Sequence, residues 1–321
     1  MNQVYFSIAG AVFAVQSNYD VRDELFGKKA YNIHHNFKIT EVESANNSHL
    51  ITLKNIDADP IMSMHADSLV VEGRLSPESG STVERQNSLW GINGPVNKFI
   101  LHILETQYNT VTLHATAIVS PTDSQVCLAI GHSGSGKSVL LLNALRSGWK
   151  LLSSEYVLIR NDDNSAILKI YTGSHLDNMS MKSVDQLDRE LPEANIMLDN
   201  FIQDPLMHKV FVDLSSYIVA EEYVEVPSKK LAVSILNIHS PFHRGGELIT
   251  DDYFFNRFVQ QITNEKISMP VIFNRTILDT LPAGSARVRN RVIETIVKQA
   301  NEKVILGGDA DDFNNWLSSH Q

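Results

Sequence analysis

One cysteine, Cys127, stands in a chain of 321 residues, which excludes an internal disulfide and any zinc site built on several thiolates. Set within an apolar run, it reads as a small buried hydrophobe. Positive charge is also scarce. The 27 Lys and Arg are outnumbered by 37 Asp and Glu, giving a formal net charge of −10, and no basic run occurs. Recognition of a nucleic-acid backbone depends on clustered cations, so no nucleic-acid partner is expected. Long apolar runs are missing too. The stretch Val4 to Val15 is far shorter than the ~20 residues of a membrane span, lacks a basic flank and continues into charged sequence. It is expected to form a β-hairpin turning near Gly10. With no spanning segment elsewhere, no membrane partner is expected, and the cytoplasm is the expected location. No internal repeat or low-complexity segment occurs, and a composition of 43% hydrophobic and 20% charged residues is that of an ordinary folded protein.

What the chain does have is a complete G-x-x-x-x-G-K-[ST] segment, Gly131-His132-Ser133-Gly134-Ser135-Gly136-Lys137-Ser138. It follows the apolar run Val126 to Ile130 and precedes a helical pattern, Val139 to Arg146. A phosphate-binding loop requires that context: a strand delivers the turn, and a helix N-terminus faces the anion. Glycines at 131, 134 and 136 let successive backbone N–H groups turn toward phosphate oxygens. Lys137 supplies charge for the β- and γ-phosphates, and Ser138 supplies a hydroxyl for Mg²⁺. The chain is therefore expected to bind ATP with Mg²⁺.

Around this loop the pattern predicts an α/β nucleotide-binding core. A helix is expected over 95–106, strands over 110–119, 126–130 and 150–160, and a further strand over 231–238. Two more helices are expected at about 251–263 and 286–302. Before residue 92, short runs such as Asn36 to Val42, His49 to Leu53 and Ser68 to Glu72 predict a β-rich region. The implied division is a β-rich N-terminal region over 1–94 and a nucleotide-binding domain over 95–321.

Three segments in succession, Leu113 to Ile118, Leu128 to Ser138 and Leu145 to Glu155, resemble the HPr serine kinase/phosphorylase family. That resemblance covers residues 95 to 160 and implies a P-loop core similar to that of phosphoenolpyruvate carboxykinases. It implies a kinase that transfers the γ-phosphoryl group of ATP to a hydroxyl of a protein, peptide or small metabolite. By position, His114 falls on the family histidine near the phosphates, and Lys137 and Ser138 on the lysine and metal-binding hydroxyl. Ser154 and Glu155 fall on a pair of acids, so the first acid is replaced. Glu155 is then left to hold the metal or to take the proton of the attacking hydroxyl. The family's C-terminal signature is not found. A nucleotide-binding regulator or pseudokinase without phosphoryl transfer is the second reading, and the missing acid favours it. A transport-type ATPase is disfavoured, because no Leu-Ser-Gly-Gly segment follows the loop. Self-association is expected by analogy with that family.

Acceptor recognition is expected from Asn237 to Gly246, a Gly- and Pro-bearing segment after the 231–238 strand that carries His239, His243 and Arg244. Pro241 and the lack of a third ligand argue against a metal there. Arg287, Arg289 and Arg291 alternate on a helix, so at most one or two can face one site, and solvated positions are expected. Asp204, Asp213, Asp251 and Asp252 are further acids with no assigned role.

Overall fold

The computed structural model describes residues 1–27, 31–44, 46–75, 88–122, 125–162, 167–180, 191, 193–196, 209–238, 245–267, 271–273, 276–278 and 284–320. The chain divides into two compact units, residues 1–109 with 268–286, and residues 110–267 with 287–321.

In the first unit the apolar N-terminal run forms β1 (Asn2–Ile8) and β2 (Ala11–Ser17), reversing through Ala9 and Gly10, both at positive φ. The alternation in β1 sends Val4, Phe6 and Ile8 inward, where Phe6 stacks on Phe13 with ring centroids 5.3 Å apart. Two short helices follow, α1 (Arg22–Leu25) and α2 (Tyr31–Asn36). The strands β3 (Thr40–Val42), β4 (His49–Asn55), β5 (Ile61–Met64) and β6 (Ser68–Gly73) complete a six-stranded sheet in the order β3-β1-β2-β4-β6-β5. The helix α3 (Pro95–Gln107) starts with Pro95 in its first turn, where the missing N–H costs nothing. The short hairpin Val271–Phe273 with Thr276–Leu278 also belongs to this unit.

The second unit is built on a nine-stranded mixed sheet. Its strands begin with β7 (Thr110–Val119) and β8 (Val126–Ile130), followed by α4 (Lys137–Arg146), β9 (Lys150–Ser153), β10 (Tyr156–Asn161) and β11 (Ile167–Tyr171). A small sheet of β12 (Leu176–Ser180), β13 (Asn195–Ile196) and β14 (Lys209–Asp213) comes next. The chain then returns through β15 (Tyr223–Pro227), β16 (Leu231–Ile238), β17 (Gly245–Leu248), α5 (Asp252–Ile267), α6 (Gly284–Gln299), β18 (Glu302–Gly308) and α7 (Ala310–Ser318).

The sheet order is β15-β11-β10-β7-β8-β16-β18-β17, with β9 also paired to β7. At its centre β8, β16 and β18 run parallel, with Ile130, Ile235 and Ile305 in one row. These strands are apolar on both sides because both faces are covered. Leu128, Ile130, Val233 and Ile235 pack with Phe255 and Val259 of α5 and Ile293 and Ile296 of α6. Cys127, Ala129, Ala232 and Leu306 point the opposite way, toward Leu141 and Leu145 of α4 and Phe313 and Trp316 of α7. Burial raises the Cys127 thiol to about 12, so it stays protonated and unreactive at neutral pH. The helix α7 starts in a capping box in which Asp309 accepts from Asp311 N and Asp312 N while Asp312 accepts from Asp309 N. No helix among the described residues is long and apolar enough to cross a membrane.

Candidate functional site

The buried strand β8 ends at Ile130, and the chain turns through residues 131–136 into α4. Gly134 (φ 83°) and Gly136 (φ 105°) sit in the left-handed region, and a Cβ on Gly131 would collide with Ser135 Oγ. The loop is drawn onto itself by Lys137, whose Nζ donates to Gly131 O at 2.7 Å and to His132 O at 3.2 Å. Ser135 N donates to His132 O at 3.1 Å. The first turn of α4 adds amides that no intrahelical carbonyl can reach. His132 and Ser133 are exposed in this turn.

The strand expected over 150–160 is broken into β9 and β10. A register shift against β7 between Ala117 and Ile118 precedes the break, and at Ser154 the chain bonds sideways instead of along β7. Ser154 N donates to Ser174 O at 2.9 Å, and its hydroxyl donates to Leu176 O at 3.0 Å and lies 3.1 Å from Ser174 Oγ. Ser174 Oγ in turn accepts from Glu155 N at 2.9 Å. Gly173 permits this approach, since a Cβ there would strike Ser153 Oγ and Tyr156 O. The irregularity falls at Ser154 and Glu155, where the Glu155 carbonyl still accepts from Ala115 N of β7 at 3.2 Å; such bulges re-aim side chains near functional sites.

Glu155 Oε1 meets His114 Nε2 at 3.0 Å. His114 is buried on β7, directly opposite Tyr156 in register, with the two rings 6.2 Å apart.

Asp177 on β12 completes the cluster, and nothing in the sequence pointed to it. It is 3% exposed, lies near the Ser138 hydroxyl and feels the charges of Glu155 and Lys137. Burial, then the Glu155 charge, raises its carboxyl to about 6, while the Ser138 hydroxyl and the Lys137 ammonium pull it back down. The buried Lys137, His114 and Asp177 and the half-buried Ser138 and Glu155 thus form one set of interacting groups at the loop. Oxygen donors dominate it. Among the described residues no group of three His, Cys, Asp or Glu side chains is arranged to hold a metal by itself. The pair of Ser138 and Asp177 suits Mg²⁺, which takes one or two protein oxygens and fills its other positions with water and phosphate.

Ser154 is not a vacant acid position. At 1% exposure its hydroxyl donates toward the carbonyls of Ser174 and Leu176, so a carboxylate there would face two carbonyl oxygens with the Ser174 hydroxyl as the nearby donor. Ser154→Asp is expected to lower unfolding free energy by about 3 kcal/mol, read as a shifted midpoint in urea titration.

Arg287 and Arg291 are exposed on α6, while Arg289, half a turn away, is buried, contrary to the expectation of three solvated positions. Its charge reaches the Tyr156 hydroxyl. Asp213 accepts from Ser215 N, Asp251 caps α5 by accepting from Phe254 N, and Asp252 pairs with Lys303. His239, His243, Arg244, Pro241 and Asp204 lie outside the described residues.

A central sheet with helices on both faces defines a mixed α/β protein. No family model matches the chain, and no curated protein matches it. Among solved structures it is similar to the Hpr(Ser) kinase/phosphatase from Coxiella burnetii, at 17% identity, over 58% of this chain and 88% of that one. The TM-score is 0.23.

Proposed function

We propose that the chain is a Mg²⁺-dependent phosphotransferase that moves the γ-phosphoryl group of ATP to a hydroxyl acceptor. One observation carries this reading: a buried carboxylate, Asp177, lies within electrostatic reach of Ser138 and Lys137 of the glycine loop and of Glu155, which meets His114. A glycine turn that only joined a strand to a helix would have no use for a buried carboxylate gathered beside its lysine and hydroxyl.

In this reading the loop amides and Lys137 bind the phosphates, and Ser138 and Asp177 hold Mg²⁺. The metal supplies neutralisation of the charge that develops on the phosphate oxygens. Glu155 accepts the proton of the acceptor hydroxyl as the new O–P bond forms and the bond from the γ-phosphorus to its bridging oxygen breaks, leaving ADP. His114 orients the Glu155 carboxylate through the 3.0 Å contact. Burial of His114, Lys137 and Asp177 limits the water that can compete for the phosphoryl group.

The test is transfer of label from γ-labelled Mg-ATP into a fractionated cell extract. Label is expected in a protein or metabolite fraction with the natural chain, and not with Lys137→Ala or Glu155→Gln. Retained ATP binding without transfer to any fraction would make the chain a nucleotide-gated regulator instead.

A further inference from the structure

Three buried serines, Ser153, Ser154 and Ser174, meet where the break between β9 and β10 lies against the segment that leads into β12. Each hydroxyl has one proton to give and two lone pairs to offer. Ser153 Oγ donates to Tyr156 O and accepts from Ser174 N at 3.0 Å. Ser154 Oγ donates to Leu176 O at 3.0 Å. Ser174 Oγ accepts from Glu155 N at 2.9 Å and from Tyr156 N at 3.4 Å. Its own proton then faces Ser154 Oγ and Ser153 Oγ, 3.1 and 3.2 Å away. All three protons are used.

These bonds end beside the two acids of the site. Glu155 follows Ser154 and gives its N–H to Ser174, while Asp177 follows Leu176, whose carbonyl takes the Ser154 proton. The acids stand on different sheets. Asp177 lies in the small one, opposite Val212 of β14, and Glu155 lies at the break in the large one. No described ladder joins β12 to β9 or β10, so the serines bridge what strand pairing does not. Two carboxylates gathered beside one lysine repel each other, and only a fixed backbone keeps them together. An unbroken strand on β7 would satisfy the same backbone groups with no buried hydroxyl, so the sheet alone does not account for the serines.

We propose that Ser153, Ser154 and Ser174 form a clasp that holds the Glu155 and Asp177 carboxylates at one spacing, with Ser154 and Ser174 as positioning residues for phosphoryl transfer. The inference rests on the reading of Asp177 as a metal ligand and Glu155 as the proton acceptor. Asp177 then sets where the phosphoryl group is held and Glu155 where the acceptor oxygen stands, so their spacing sets the line of attack. Lys137 and the loop amides, which bind the nucleotide in that reading, lie outside the clasp. Loosening it acts on kcat and leaves KM for Mg-ATP.

The first arm of the test needs no nucleotide. Hydrogen exchange is followed by NMR in the natural chain, in Ser154→Ala and in Ser234→Ala, which removes a buried hydroxyl of β16 outside the clasp. Glu155 N bonds to Ser174 Oγ, and Asp177 N is directed to Val212 by the alternation that pairs Leu214 N with His175 O. Neither amide loses its acceptor in Ser154→Ala, so faster exchange there reports loosening. About tenfold is expected at both, with the amides of β16 unchanged, and Ser234→Ala should not single them out. The second arm measures transfer from Mg-ATP to the fraction that accepts label. Ser154→Ala and Ser174→Ala should each lower kcat about 30-fold with KM within about twofold, and the double variant should lose little more. Ser234→Ala should keep the rate. Exchange at Glu155 and Asp177 unchanged by Ser154→Ala, or accelerated equally across the sheet, would overturn the clasp. Raised KM at unchanged kcat, or losses that multiply in the double variant, would overturn the positioning role. No transfer by the natural chain would overturn the proposed function instead, and the exchange arm would still decide the clasp.

Discussion

Asp177→Asn is expected to make the protein more stable and less active at once. The folded state holds the Asp177 carboxyl at about 6, against 3.8 for the unperturbed group. The native state therefore binds this proton more tightly than the unfolded chain, and stability falls as pH rises between these two values. Above about pH 6 the loss is complete, and two pKa units correspond to about 3 kcal/mol as an upper bound. Asparagine keeps the size of the side chain but carries no charge, so at pH 7 the variant should gain stability up to that amount. Its urea midpoint should also lose the part of the pH dependence that lies between about 4 and 6. On the reading proposed here, the same substitution removes a metal ligand and the charge opposite Lys137. Phosphoryl transfer should then drop at least about 100-fold. A site that trades stability for function is expected where carboxylates are gathered without enough positive charge. An Asp177→Asn protein that is no more stable across this pH range would mean that Asp177 is not strained by Glu155 and burial.

The second large effect is that of Lys137→Ala. The ammonium is buried, and its bonds to Gly131 O and His132 O tie the loop to the start of α4. Alanine removes both bonds and the positive charge nearest Asp177, which then feels Glu155 without that compensation. A loss of about 1–3 kcal/mol in stability is expected from the hydrogen bonds. The larger consequence is for transfer, which should fall about 1000-fold, because a positioned cation acts on charge that grows in the transition state. Lys137→Arg should not restore the rate, since a planar fork cannot reproduce the point contact that an ammonium makes with two adjacent carbonyls.

The loop and its frame were legible because they are local. Val126 to Ile130 is an apolar run too short for a helix, the glycines follow at fixed spacing, and Val139 to Leu145 has the apolar density of a packed helix. The strands at Thr110–Val119 and Leu231–Ile238 were legible for the same reason. Asp177 was not. It lies 40 positions beyond Lys137 in Leu176–Ser180, a mostly polar stretch, and only the placing of β12 beside the loop gives it a partner. Ser154 reads as a lost acid because it falls on the first of the paired acids of the family that the segment resembles, yet its hydroxyl is consumed by the carbonyls of Ser174 and Leu176. Those partners are 20 and 22 residues away, beyond any local pattern. The helix expected over 286–302 stops at Gln299, and Glu302–Gly308 is instead the strand beside β16. Its β-branched Val304 and Ile305 fit a sheet position, which tertiary pairing favoured over helical continuation.

The most direct measurement is a calorimetric titration of the full chain with ATP, with and without Mg²⁺, alongside Lys137→Ala and Asp177→Asn. Binding is expected with the natural chain. Lys137→Ala should lose it in both conditions, and Asp177→Asn should lose the part that depends on Mg²⁺. ATP binding that survives Lys137→Ala undiminished, or no binding by the natural chain at millimolar nucleotide, would contradict the assignment of residues 131–138 and Asp177 as a nucleotide and metal site.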